Sequence, residues 1–177
     1  MNTKLVEWGI LKEDSDYRIH VCISSARVYV FRTSRGKQVV DDAKLGKRKY
    51  NLLSIRTGEI ITAQGYTVPC DDLLPQHYPI PDDLFENYAI SKFEPTSVKG
   101  AKATRIVSEM IGRGIILLPV KVREVDDMKA QISGIDLSVN SNVKIQVKCD
   151  FLGGHKQYRG TGNLFLQTAE CNPWGQH

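Results

Sequence analysis

Three residues toward the C-terminal end, Asp136, Gln146 and Lys148, are the set best suited to chemistry in this chain. Gln146 and Lys148 lie in a run where Val143, Ile145, Val147 and Cys149 alternate with Lys144, Gln146, Lys148 and Asp150. Alternation at period two belongs to a half-buried strand, so Gln146 and Lys148 project from one face about 7 Å apart. Ile135, Leu137 and Val139 alternate likewise with Asp136 and Ser138. Between the two runs, Asn140-Ser141-Asn142 tolerates left-handed backbone and bonds to its own chain. The spacing predicts a hairpin over residues 134–150, and the right register brings Asp136 to the Gln146–Lys148 face. A carboxylate, an amide oxygen and an ammonium at one point can hold a divalent cation beside a phosphate.

The elements that must position this hairpin surround it in the C-terminal half. Pro95 followed by Thr96 and Ser97 is a breaker joined to a helix start signal. Residues 98–113 carry Ala103, Ile106, Val107, Met110 and Ile111 at helical spacing, with Gly112 and Gly114 at the end. On a helical projection Glu109 and Lys102 fall at one edge of that apolar stripe. Residues 114–122 read as an apolar strand and residues 124–127 as an acidic loop. After the hairpin, residues 151–160 form a glycine-rich loop bearing His155, Lys156, Tyr158 and Arg159, and residues 163–168 alternate as a further strand.

The N-terminal half reads as mostly β. Residues 17–23 and 27–32 form two strands, followed by the polar stretch TSRGK and the basic cluster 44–49, which reads as a solvated loop. A second hairpin spans residues 50–63 across Arg56-Thr57-Gly58. Pro69, Pro75, Pro79 and Pro81 argue against regular structure over 68–84, and Asp82-Asp83 cap a short helix over 84–89. The boundary falls near residue 95, giving an accessory region 1–95 and a core 96–177.

A helix with an edge glutamate, an apolar strand, Asp136, then Gln146-x-Lys148 resembles the PD-(D/E)XK nuclease superfamily, over roughly residues 97–170. The resemblance implies an α/β fold: a restriction-endonuclease-like core, helix followed by a mixed β-sheet, with an N-terminal mostly-β region. It implies a Mg²⁺-dependent (or Mn²⁺-dependent) DNA endonuclease of phage, restriction or mobile-element type. Asp136, Gln146, Lys148 and Glu109 are then catalytic; Asp136, Gln146 and the Val147 carbonyl hold the metal; and Lys102, Arg105, Lys156 and Arg159 contact DNA phosphates. It further implies a homodimer or higher oligomer, since cutting both strands needs two related sites. Three departures stand out. Gln146 replaces the usual acid, Ile135 replaces the usual proline, and the further helix and strand that normally follow the third strand are missing. Truncation, the N-terminal half or a partner chain accounts for that last gap. A catalytically inactive nucleic-acid-binding or assembly module on the same fold is the alternative.

Composition narrows the classes. The net charge of +4 lies wholly in residues 96–177, where 11 Lys/Arg face 7 Asp/Glu; residues 1–95 hold 13 of each. A local excess of that size permits nucleic-acid binding. No apolar run approaches the ~18 residues of a membrane span, and no signal peptide is visible. The four cysteines are scattered in apolar settings, which suits reduced thiols and a cytoplasmic protein. Cys149 with His155, and Cys171 with His177, form two equally spaced pairs that would make a Cys₂His₂ zinc set, but Cys149 falls on the apolar strand face.

Overall fold

The computed structural model describes residues 5–128 and 135–171. Two sheets and three helices build a mixed α/β molecule. In chain order the strands are β1 (Leu5–Glu7), β2 (Tyr17–Cys22), β3 (Arg27–Arg32), β4 (Asn51–Thr57), β5 (Ile60–Pro69) and β6 (Gln76–Pro79), followed by β7 (Val125–Asp127), β8 (Leu137–Val139), β9 (Val143–Asp150) and β10 (Asn163–Cys171). The helices are α1 (Thr33–Lys44), α2 (Asp82–Asn87) and α3 (Thr96–Gly112). The larger sheet runs β6-β3-β2-β9-β8-β7 and the smaller β1-β10-β5-β4.

Alternation decides what each face of the larger sheet covers. Ile19 and Val21 of β2, Leu137 and Val139 of β8, and Ile145 and Val147 of β9 pack against Ala103, Ile106, Val107, Met110 and Ile111 of α3. The opposite face looks toward α1 and the smaller sheet. There Cys22, Tyr29 and Phe31 meet Val39 and Val40 of α1 and Val68, Leu164 and Leu166 of the smaller sheet. Arg18, His20, Gln146, Lys148 and Asp136 alternate with the first set and therefore belong to this second side.

Residue 95 does not divide two folded units. β2, from the N-terminal half, pairs in parallel with β9, and β5 pairs with β10. Each sheet thus takes strands from both halves of the chain.

Several local readings change as well. Residues 33–44 form α1 where the sequence suggests a polar stretch. Its Gly36 lies where a Cβ would come within 3.0 Å of Ile10, so that glycine permits close packing and does not end the helix. Residues 114–122 form no strand: the amides of Ile115 and Ile116 turn back to the Met110 carbonyl at the end of α3, and Pro119 has no N–H to offer. The acidic segment instead supplies β7, an edge strand whose Asp126 and Asp127 are exposed as edges favour. The proline-rich segment likewise includes β6 at the opposite edge, where Pro79 is tolerated.

Candidate active site

The register of the β8–β9 hairpin sets the site. Leu137 stands opposite Ile145, which places Asp136 beside Gln146, and the Asp136 amide donates to the Ile145 carbonyl at 2.9 Å. The turn that fixes this register has Asn140 and Ser141 in left-handed backbone at φ 54° and 64°. The Asn140 side chain anchors it to the chain before β7, accepting from the Arg123 amide at 2.8 Å and donating to the Lys121 carbonyl at 2.8 Å. Asp136, Gln146 and Lys148 therefore share a sheet face.

Asp136 Oδ2 accepts from the Val147 amide at 2.8 Å, which fixes the carboxylate across the end of β8. An extended residue sends its N–H and C=O to the same side of the strand. The Val147 carbonyl thus points toward Asp136 as well. Gln146 is 8 % exposed, and its Oε1 has no hydrogen-bond partner among the described residues. A buried amide oxygen without a donor is costly and invites a ligand. A carboxylate, an amide oxygen and a backbone carbonyl are hard oxygen donors suited to Mg²⁺ or Mn²⁺ with water completing the shell. No cluster of three or more His, Cys, Asp or Glu that could hold a metal occurs among the described residues. The donor set here thus combines one carboxylate with two neutral oxygens.

β2 brings residues that the alternation of the hairpin alone does not reveal. The parallel register sets Arg18 beside Gln146 and His20 beside Lys148. The buried Arg18 guanidinium forms an ion pair with Glu13, and its Nε donates to His20 Nε2 at 3.0 Å. Because an arginine nitrogen can only donate, His20 Nε2 must accept, and Nδ1 carries the proton toward Asp150 Oδ2 at 3.4 Å. Burial drives the His20 pKa down to about 4, and the Arg18 charge adds to the effect. Asp150 feels burial pushing its pKa up. Hydrogen bonds from His20 and from the Phe165 and Gly153 amides outweigh that and hold it below the usual carboxylate value. Lys148 is lowered by burial first and by Arg18 second, against the pull of Glu13, Asp136 and Glu170. The visible signal was the period-two placement of Arg18 and His20 within an otherwise apolar strand.

The other expected site residues lie elsewhere. Glu109 sits on α3, across the sheet from Asp136; its carboxylate accepts from Tyr88 Oη at 2.9 Å and pairs with Arg113 at 3.3 Å. It is a helix-surface acid and does not reach the Asp136 side. Lys102 shares that layer and is committed to Glu94 and the Ala89 carbonyl, while Arg105 is exposed on the same helix. Lys156 and Arg159 are exposed in the loop after β9, which docks through the His155 amide on Tyr29 Oη at 2.8 Å. The sheet separates these two pairs of cations, so the four do not form one phosphate track. The proposed zinc set does not assemble either. Cys149 packs toward α3, and His155, on the other side, pairs with Asp71 at 2.8 Å. His177 lies outside the described residues. A cleft of about 720 Å³, lined by Tyr17, Arg32, Gln76, Tyr78, Leu118 and Pro119, contains none of the expected site residues.

In comparisons with known proteins, no protein family, no curated protein and no solved structure matches the chain.

Proposed function

We propose that this chain is a divalent-metal-dependent DNA endonuclease of the PD-(D/E)XK kind, with Asp136, Gln146, Val147 and Lys148 as its working residues. The observation that carries the proposal is the buried, donorless Gln146 Oε1 beside the fixed Asp136 carboxylate, with Lys148 on the same face. The strand that such a core needs after its third strand has a counterpart in β2, which lies parallel to β9 but comes from the N-terminal side of the chain.

Asp136, the Gln146 amide oxygen and the Val147 carbonyl would hold Mg²⁺ or Mn²⁺. The chemistry available from such an ion is charge neutralisation at phosphate and a more acidic water. The Val147 amide orients the Asp136 carboxylate across the end of β8. Lys148, as an ammonium, steadies the attacking water or a phosphate oxygen as negative charge grows in the transition state. Its depressed pKa makes it a readier proton donor than an exposed lysine. The Glu13–Arg18–His20–Asp150 chain packs beside these groups on the same sheet face and limits how far they can move.

A plasmid-nicking assay with Mg²⁺ or Mn²⁺ tests this reading. Cleavage by wild type should fall at least ~100-fold in Asp136→Ala and in Lys148→Ala, the scale of losing a transition-state contact. A second reading is favoured by the neutral Gln146, which stands where the resemblance expects an acid. On that reading the fold binds nucleic acid without cutting it. Metal-independent DNA binding with no nicking would establish it in place of the endonuclease.

A further inference from the structure

The turn before α3 and the loop after β9 each hold a phenylalanine with a lysine over its ring. Phe93 is 86 % exposed, and the Lys92 ammonium lies 5.2 Å from its ring centre. Lys99, near the start of α3, lies 5.3 Å from the centre of the half-buried Phe151 ring. Lys99 also joins the two places, because its Nζ donates to the Lys92 carbonyl at 3.4 Å. From this arrangement we infer that Phe93, Phe151, Lys92 and Lys99 form a platform for an unpaired strand of nucleic acid, with bases stacked on the rings and phosphates on the ammoniums.

The backbone fixes both rings. The Phe93 amide donates to Ser91 Oγ at 3.2 Å and the Glu94 amide to the Ser91 carbonyl at 3.2 Å, a turn that carries Phe93 outward. The Phe151 carbonyl accepts from the Ser24 amide at 2.9 Å and the Ser24 hydroxyl at 2.5 Å, which ties it to the end of β2. Neither ring belongs to the packed cores on the two sides of the larger sheet.

Charge selects the partner. Glu94 is the one acid between Glu86 and Glu109, and its carboxylate is taken by Lys102 and the Ser91 amide. Asp150, next to Phe151, is turned to His20 and to the Phe165 and Gly153 amides. Lys92 and Lys99 thus keep their charge for an outside anion. Aromatic faces beside ammoniums suit a polymer that alternates flat bases with phosphates. A duplex hides its base faces in its own stack, so an unpaired strand alone can use both rings. A membrane fits less well, since sinking either ring into hydrocarbon would strip water from the ammonium over it. Phe151 follows β9 directly, so the platform begins where the strand carrying Gln146 and Lys148 ends. The inference rests on the nucleic-acid reading above and holds for its cutting and non-cutting versions alike.

Fluorescence anisotropy of the full chain without divalent metal tests it, with a labelled oligothymidylate of about 16 nucleotides, the length of a large single-strand site. Wild type should bind this strand at least ~5-fold tighter than an equally long duplex or an oligomer of abasic deoxyribose phosphates, the scale of one stacked base. Phe93→Ala should lose the same factor, and Phe93→Tyr should keep wild-type affinity. Lys99→Gln should lower the salt slope of binding by about 0.7, the share of one phosphate contact on a single strand. Oligouridylate in place of oligothymidylate separates RNA from DNA as the source of the strand, and binding of either supports the inference. No binding to either strand, equal affinity for the duplex or the abasic oligomer, or wild-type affinity in Phe93→Ala overturns it. So does Phe93-dependent binding to phosphatidylserine vesicles by a chain that ignores both strands. Because no metal is present, a chain that binds in this way and nicks nothing would lose the endonuclease and keep the platform.

Discussion

At the scale of single residues, His20 is the most sharply defined group in the molecule. It is 1 % exposed, accepts from Arg18 and donates toward Asp150, so a second proton has no acceptor to meet. Its pKa is about 4 in the fold against an ordinary 6.5. Between those values the unfolded chain binds the extra proton and the folded chain does not. The contribution of this group to stability is therefore complete above pH 6.5 and is lost as the pH falls toward 4. At about 1.4 kcal/mol per unit, the gap amounts to about 3 kcal/mol. Urea unfolding across that window should show the loss. His20→Gln keeps an acceptor for Arg18 and a donor for Asp150, and should flatten that part of the profile. Gln146 and Lys148 were legible from alternation alone; alternation also marks the polar placement of His20, but not what it meets. Its neighbours belong to a strand from the other end of the chain, and no local pattern marks a parallel pairing.

At the scale of elements, α3 is held by its buried stripe and not by its ends. Pro95 precedes its first turn, and no side chain caps it. Ile106, Val107, Met110 and Ile111 lie against β2, β8 and β9, and α3 makes a backing layer for the strand that carries Gln146 and Lys148. Ile106→Ala should cost about 2–5 kcal/mol, the range for emptying a buried aliphatic site, read as a lower urea midpoint. Glu109→Ala, which removes only the surface contacts to Tyr88 and Arg113, should cost about 1 kcal/mol or less. The sequence marks α3 plainly because its apolar residues repeat at helical spacing from Ala103 to Ile111. It hides α1, where Gly36 imitates a loop until Ile10 and Phe31 are seen pressing against it. It also overstates residues 114–122, where hydrophobicity without alternation suggested a strand that the Met110 carbonyl and Pro119 prevent.

At the scale of the whole molecule, the two halves of the sequence do not fold as two bodies. β9 is flanked by β8 on one side and β2 on the other, and β10 lies between β1 and β5. A fragment of residues 96–177 would expose both edges left by β2 and β5. Its circular dichroism should lack the native strand signal, and co-expression with residues 1–95 should restore it. A fragment that folds alone would show that the strand order is not needed for stability. What the sequence alone determined is which side chains share a face, since period two and period 3.6 are properties of the local backbone. The tertiary structure decided which faces meet. The parallel pairing of β2 with β9 sets a buried arginine–histidine chain beside Gln146 and Lys148 and leaves Glu109 on the far side of the sheet. Contacts of that kind join distant parts of the chain, and they form because both faces of a central sheet must be covered at once.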